Sequence, residues 1–220
     1  EEFFIPLLLE IIDRYHPSHF WFDGVWLPPR EDYCYCEYCQ RKFYKEYKRQ
    51  LPKYPTDTDL IELQEFYERS LDGAIGRIGK AIKNYDPEIL LCCNSAYFFK
   101  DLRSPIPEVD WLSWDVINTP DLHKTLFEAN YLSNAGKPAD IMIYENGIVK
   151  WSPNLIQRPR PIGQIKTEAS ILMAYGLRVN LWHNPNPDGS IKKEKAEIAK
   201  QVTRFVRERQ DWCIDNESIA

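Results

Sequence analysis

The 220-residue sequence predicts an α/β fold built on a parallel sheet, because five apolar runs of strand length are each followed by a helical pattern and each run stops in a polar cluster. The clusters are Asp23-Gly24, Asn94-Ser95, Asp115, Glu145-Asn146-Gly147 and His183-Asn184. In parallel α/β folds the C-terminal strand ends form the active face, so the same pattern predicts one functional rim. Two architectures fit: an open five-stranded sheet, or the last five units of a (β/α)8 TIM barrel.

Taken in order, Phe4, Leu8, Ile11, Ile12 and Tyr15 recur at three- and four-residue intervals, which predicts an amphipathic helix ended by Pro17. "HFWFDG" follows as a short strand stopped by Gly24. Tyr67, Leu71, Ala74, Ile75, Ile78, Ile82 and Tyr85 mark a second helix, with Asp59 and Glu62 expected to form its capping box. "EILLCCNS" is an unbroken apolar strand; "DWLSWDV", "DIMIYENG" and "RVNLWHN" supply three more. Helices are expected over residues 121 to 135, 161 to 175 (ending at Gly176) and 192 to 213. "WSPNLIQRPRP" and "NPNPDGS" read as long loops at the active rim, and no internal repeat or linker stands out. The opening helix follows no visible strand of its own, which favours the barrel. On that reading residues 1 to 220 are the C-terminal part of one barrel, about strands 4 to 8, with its first three units absent from this chain.

A hydrophobic content of 44% supports one substantial core. The net charge of −5 and dispersed Lys and Arg argue against a nucleic-acid partner. No apolar run approaches the roughly 20 residues that span a bilayer, so no membrane partner is expected. A homo-oligomer is compatible with the composition. Of six cysteines, three lie within six residues and two are adjacent, which is poor geometry for disulfides and better suited to thiols or metal.

Carboxylates at strand ends are suited to cleaving glycosidic bonds, which takes two carboxyl groups flanking the scissile bond. Asp23 lies between Phe22 and the small Gly24, and Trp21 and Trp26 offer flat apolar surface for a sugar ring. Glu145 is the second candidate and Asp115 the third; each also fits the plainer role of a hydrogen-bond acceptor that orients a loop. Asn94, Trp151, His183 and Asn184 are expected to line the substrate site. Cys34, Cys36 and Cys39 form a C-x-C-x-x-C loop whose soft thiolates suit structural zinc, or are simply three free thiols at a helix start.

The stretch "IPLLLEIIDRYHPSHFWFDG" with "CYCEYCQRKFYKEYKRQLP" resembles the hypothetical glycosyl hydrolase 6 family of barrel enzymes over about the first fifty residues. Trp21-Phe22-Asp23-Gly24 and "NLWHNPNPDGSI" are similar to segments of retaining α-L-fucosidases, in which the W-F-D-G aspartate on strand four is the nucleophile. Cys34, Cys36 and Cys39 resemble the zinc loop of family-42 β-galactosidases, although the Asn-Glu signature of those enzymes is missing. The resemblance implies a glycoside hydrolase acting on an oligosaccharide, polysaccharide or glycoside with retention and Asp23 as nucleophile; the acid/base varies in position among fucosidases, and Glu145 is expected to fill that role here, with Asp115 next in line if Glu145 is dispensable. It also implies carboxyl groups about 5 to 5.5 Å apart. A barrel that binds carbohydrate without catalysis is the alternative.

Overall fold

A computed structural model describes residues 3–23, 33–94, 108–116, 122–150, 156–183 and 185–213. The chain divides into two units, residues 1–91 with 97–109, and residues 92–96 with 110–220.

In the first unit α1 (Phe4–Tyr15) buries Leu8 and Ile12, one turn apart, and stops where His16 takes a left-handed conformation before Pro17. β1 (His19–Phe22) follows. Two helices come next, α2 (Glu37–Tyr47) and α3 (Asp57–Tyr85). The capping box of α3 is built by Thr56 and Asp59, not by Asp59 and Glu62. Thr56 Oγ1 accepts from the Asp59 N–H at 3.3 Å, and an Asp59 carboxylate oxygen accepts from the Thr56 N–H at 2.9 Å. A box needs its hydroxyl or carboxylate one residue before the helix, and Thr56 holds that place. Phe43 of α2 packs with Leu63, Phe66 and Tyr67 of α3, and with Tyr33 and Leu51, in an aromatic-rich core. Gly79 matters through space: a Cβ there would come within 2.5 Å of Glu108 Cβ, so only glycine lets that segment lie against α3. β2 (Leu90–Asn94) starts beside β1, the Leu90 N–H donating to the Ser18 carbonyl at 3.0 Å.

The second unit continues β2 from Cys92 and adds β3 (Trp111–Val116), α4 (Leu122–Ser133), β4 (Ala139–Tyr144), β5 (Asn146–Lys150), β6 (Ile156–Pro159), α5 (Ile162–Ala174), β7 (Arg178–Trp182) and α6 (Lys193–Arg207). The main sheet runs β1-β2-β3-β4-β7, so the five expected strands are neighbours in sequence order. The pairings of β2 with β3, β3 with β4 and β4 with β7 are all parallel. α5 ends as expected: Gly176 at φ 72° lets its N–H reach the Met173 carbonyl and the Leu177 N–H reach that of Leu172. α6 is shorter than expected, stopping at Arg207 before a separate 3-10 turn over Gln210–Trp212.

Two features depart from expectation. Residues 146–150 and 156–159 form an antiparallel hairpin where a loop was expected. Pro159 pairs with Asn146, and the cross-strand bond beside that pair comes from the Arg160 N–H to the Glu145 carbonyl, so the N–H that Pro159 lacks would face away from the partner strand. The strands also alternate in polarity. Register places Asn94, Trp111, Ser113, Asp115, Asp140, Met142, Tyr144, Asn180 and Trp182 on one face, and Cys93, Leu112, Trp114, Ile141, Ile143 and Leu181 on the other. The apolar face meets the helices, where Trp114 touches Tyr131 of α4. The polar face is internally bonded: Asp140 accepts from Trp111 Nε1 at 2.9 Å and Ser113 Oγ at 2.7 Å.

Helices α4 and α5 bury matching stripes, Thr125, Glu128, Ala129 and Leu132 in one and Ile165, Glu168, Ala169 and Leu172 in the other. Each stripe thus carries a glutamate into the core. Burial pushes the Glu128 carboxyl up to about 7 against the opposing pull of Lys124 and the Trp114 indole. The sign follows: from about pH 4.5 to 7 the folded state retains a proton that the unfolded chain releases, so stability falls as pH rises through this window. Above it the cost is roughly 3 kcal/mol. Glu128→Gln is expected to flatten the dependence of Tm on pH between 5 and 8 and to raise Tm at the alkaline end. Parallel curves for the two proteins would remove Glu128 as the cause.

Candidate functional site

The strand ends of the second unit bring two groups together. On the polar face, Asp115 of β3 is buried, and its Oδ2 accepts from Asn94 Nδ2 of β2 at 3.3 Å and Tyr144 Oη of β4 at 3.4 Å. The Tyr144 ring lies 4.7 Å from the Trp182 ring of β7. Asparagine, carboxylate, phenol and indole thus come from four consecutive strands of the sheet, an arrangement available only because the pairing is parallel and in register.

One residue further along, the chain turns to the other parity. Glu145 follows β4 and His183 follows β7, whose last residues Tyr144 and Trp182 are paired, so the two side chains emerge next to each other. His183 Nδ1 lies 2.7 Å from Glu145 Oε2, and Lys195 Nζ, from the first turn of α6, lies 2.6 Å from Oε1. Asn146 Nδ2 adds a longer contact to Oε1 at 3.5 Å. Glu145 is 1% exposed, whereas the side chains of His183 and Lys195 are each 18% exposed. The β4 end is pinned from behind by Arg160, whose Nη1 donates to the Tyr144 carbonyl at 3.0 Å and whose N–H donates to the Glu145 carbonyl at 3.2 Å. Arg160 Nη2 in turn pairs with the buried Glu168 of α5.

In the first unit Asp23 directly follows β1 and is exposed. Trp21, in β1, keeps its indole N–H buried with no hydrogen-bond partner among the described residues. Trp26, Trp151 and Asn184 lie outside the described residues.

Cys34, Cys36 and Cys39 place their sulfurs within 4.8 Å of one another around the start of α2, where Cys36 is the cap residue. The backbone N–H of Cys39, with the Cys34 and Cys39 thiols, holds the Cys36 thiol down at about 7, while burial pushes Cys39 up to about 12. The loop is tied to α3 by Tyr67, whose hydroxyl donates to the Cys34 carbonyl. Thiolate donors gathered this closely could hold a soft metal ion, and would then supply three of the four ligands of a tetrahedral site. Among the described residues no fourth donor joins them; Cys92 and Cys93 are buried in β2.

Arg160, Glu168, Lys195, Tyr144 and Asp140 were not picked out from the sequence. A glutamate inside an otherwise apolar helical stripe marks Glu168, and polar alternation in β3 and β4 marks Asp140 and Tyr144. Lys195 has no local signal, because it reaches Glu145 only through the packing of α6.

No protein-family model matches the chain, and no curated protein sequence matches it. Among solved structures the chain is similar to α-L-fucosidase isoenzyme 2 from Paenibacillus thiaminolyticus, with a TM-score of 0.69, 16% identity, and coverage of 97% of this chain and 31% of that one. The chain therefore shares its fold with part of that protein and spans about a third of its length. α-L-Fucosidase isoenzyme 1 from the same organism aligns at 15% identity over 66% of this chain and 33% of its own, and bee venom hyaluronidase in complex with a hyaluronic acid tetramer at 10% over 91% and 71%. Both have TM-scores of 0.43, too low to bear on the fold.

Proposed function

We propose that this chain is the C-terminal part of a (β/α)8 barrel that hydrolyses glycosidic bonds with retention. The observation that carries the reading is the placement of the buried Asn94, Asp115 and Tyr144 and the half-buried Trp182 on one face of successive parallel strands. The likeness in fold to part of an α-L-fucosidase supports it, as does the W-F-D-G order around Asp23. Asp23 attacks the anomeric carbon and forms a glycosyl ester as the glycosidic C–O bond breaks. One carboxyl of the second unit, Asp115 or Glu145, protonates the departing oxygen and then takes the proton of the water that hydrolyses the ester. The aromatic rings of Trp21 and Trp182 offer faces to the sugar ring.

A screen of aryl glycosides with the full-length protein tests the proposal, α-L-fucosides and β-galactosides first. Release of the aryl group with first-formed product of unchanged anomeric configuration is the expected result. Inverted product would set aside the nucleophile role of Asp23, and binding of sugars without turnover would point to the non-catalytic barrel.

The cysteine loop holds structural zinc on this reading, because three thiolates gathered at the start of α2, in a loop that Tyr67 ties to α3, suit a staple better than a catalyst. One zinc per chain is expected, with Zn–S distances of about 2.3 Å. Chelation should lower Tm and expose Phe43 and Phe66 together with any loss of activity. Activity lost with an unchanged Tm would instead assign the metal to catalysis.

A further inference from the structure

We infer that Glu145 acts through His183: it fixes the tautomer and direction of the imidazole, so that His183 Nε2 is the atom offered to a hydroxyl group of the ligand. The choice of a sugar hydroxyl rests on the glycoside-hydrolase reading above; the tautomer does not.

Each Glu145 oxygen already has a close partner, His183 on Oε2 at 2.7 Å and Lys195 on Oε1 at 2.6 Å, and the side chain is almost wholly buried. A general acid has to touch the oxygen it protonates. His183 is the more open member of the pair, so a ligand meets the imidazole before the carboxylate. Charge and hydrogen-bond inventory then set the tautomer. An ammonium only donates, so Oε1 accepts from Lys195; an ionised carboxylate only accepts, so Nδ1 carries the hydrogen that points at Oε2. A neutral imidazole with its hydrogen on Nδ1 has its lone pair on Nε2, an acceptor for a hydroxyl. Lys195 neutralises the carboxylate from its other side and holds it against rotation. Glu145 is therefore a positioning residue, and of the two carboxyls of the second unit Asp115 is left as the acid/base.

The test is a pair of measurements on the intact protein. Long-range 1H–15N spectra, with the His183 signals assigned by their loss in His183→Gln, are expected to show hydrogen on Nδ1 at neutral pH. Glu145→Gln should reverse this: Lys195 keeps the amide oxygen, the amide NH2 faces the ring, and Nδ1 becomes the acceptor. A wild-type Nε2–H tautomer overturns the inference, even if the variant fails to fold. So does a tautomer unchanged in Glu145→Gln. In kinetics, Glu145→Gln should lower kcat/KM by the same factor on aryl glycosides with good and poor leaving groups, on the order of 10- to 100-fold by analogy with the carboxylates that orient metal-bound histidines. A loss confined to poor leaving groups would make Glu145 the acid/base and overturn the positioning role. The spectra decide the tautomer even where no glycoside is turned over, so failure of the inference and failure of the functional reading give different results.

Discussion

Asp23→Ala is expected to reduce turnover of the glycoside found in the screen by roughly three orders of magnitude or more while leaving Tm within a degree or two. The first part follows from the role: without the carboxylate no glycosyl ester forms, and a thousandfold loss corresponds to about 4 kcal/mol of transition-state stabilisation at 1.36 kcal/mol per tenfold. The second follows from the site: Asp23 is exposed directly after β1, so its removal leaves no cavity in the core. A small external anion such as azide should restore turnover and give a product of inverted configuration, because the anion attacks the face that Asp23 vacates. Near-normal turnover in Asp23→Ala would return Asp23 to the plain role of ending a strand. The same experiment on Asp115→Asn should spare substrates with good leaving groups, since these need little proton assistance.

The parts of the fold that were legible in the sequence are those whose cause is local. Strand-length apolar runs followed by helical periodicity are enough to predict a parallel sheet with its strands in sequence order, and the polar residue that ends each run marks the rim. Asp115 was identified by that logic, and its plainer reading as a hydrogen-bond acceptor describes its contacts with Asn94 and Tyr144. His183 was expected to line the substrate site, and nothing local to it in the sequence points to Glu145 as the partner of its Nδ1. What escaped depends on contacts between elements distant in sequence. The β5–β6 hairpin was hidden by prolines that read as a loop, although Pro159 occupies a pair position whose N–H would face away from the partner strand. α2 showed in the sequence only as a helix start at the cysteines, because what fixes it is its packing on α3, where Phe43 and Tyr47 meet Phe66 and Lys42 donates to Ser70. The matching segments Thr125–Leu132 and Ile165–Leu172 do share a short similarity, E-A-x-x-L in both, which is too brief to stand out as a repeat.

Glu168→Ala is expected to cost about 3 to 5 kcal/mol of stability, the usual penalty for leaving a buried charge without its partner. The guanidinium of Arg160 is 8% exposed and the Glu168 side chain 0%, so neither screening by salt nor rearrangement toward solvent can relieve the orphaned charge. In a protein of this size each kcal/mol moves Tm by about 2 to 4 °C, so a fall on the order of 10 °C is the result to look for in thermal unfolding. The pair is not fully satisfied, since Arg160 Nε and Glu168 Oε2 are buried with no hydrogen-bond partner among the described residues. Replacing both ends by apolar groups, Arg160→Met with Glu168→Leu, should therefore recover most of the lost stability. Activity separates the two roles of the pair. Arg160 Nη1 also holds the Tyr144 carbonyl, and its backbone N–H holds that of Glu145, so the double variant keeps the second clamp and loses the first. Stability should return in it while turnover stays low, because Tyr144 and Glu145 are then held less firmly against Asp115 and His183. If Glu168→Ala unfolds within half a kcal/mol of the wild type, the ion pair is not a determinant of stability; if the double variant regains full activity, Arg160 is scaffolding for α5 and not for the strand end.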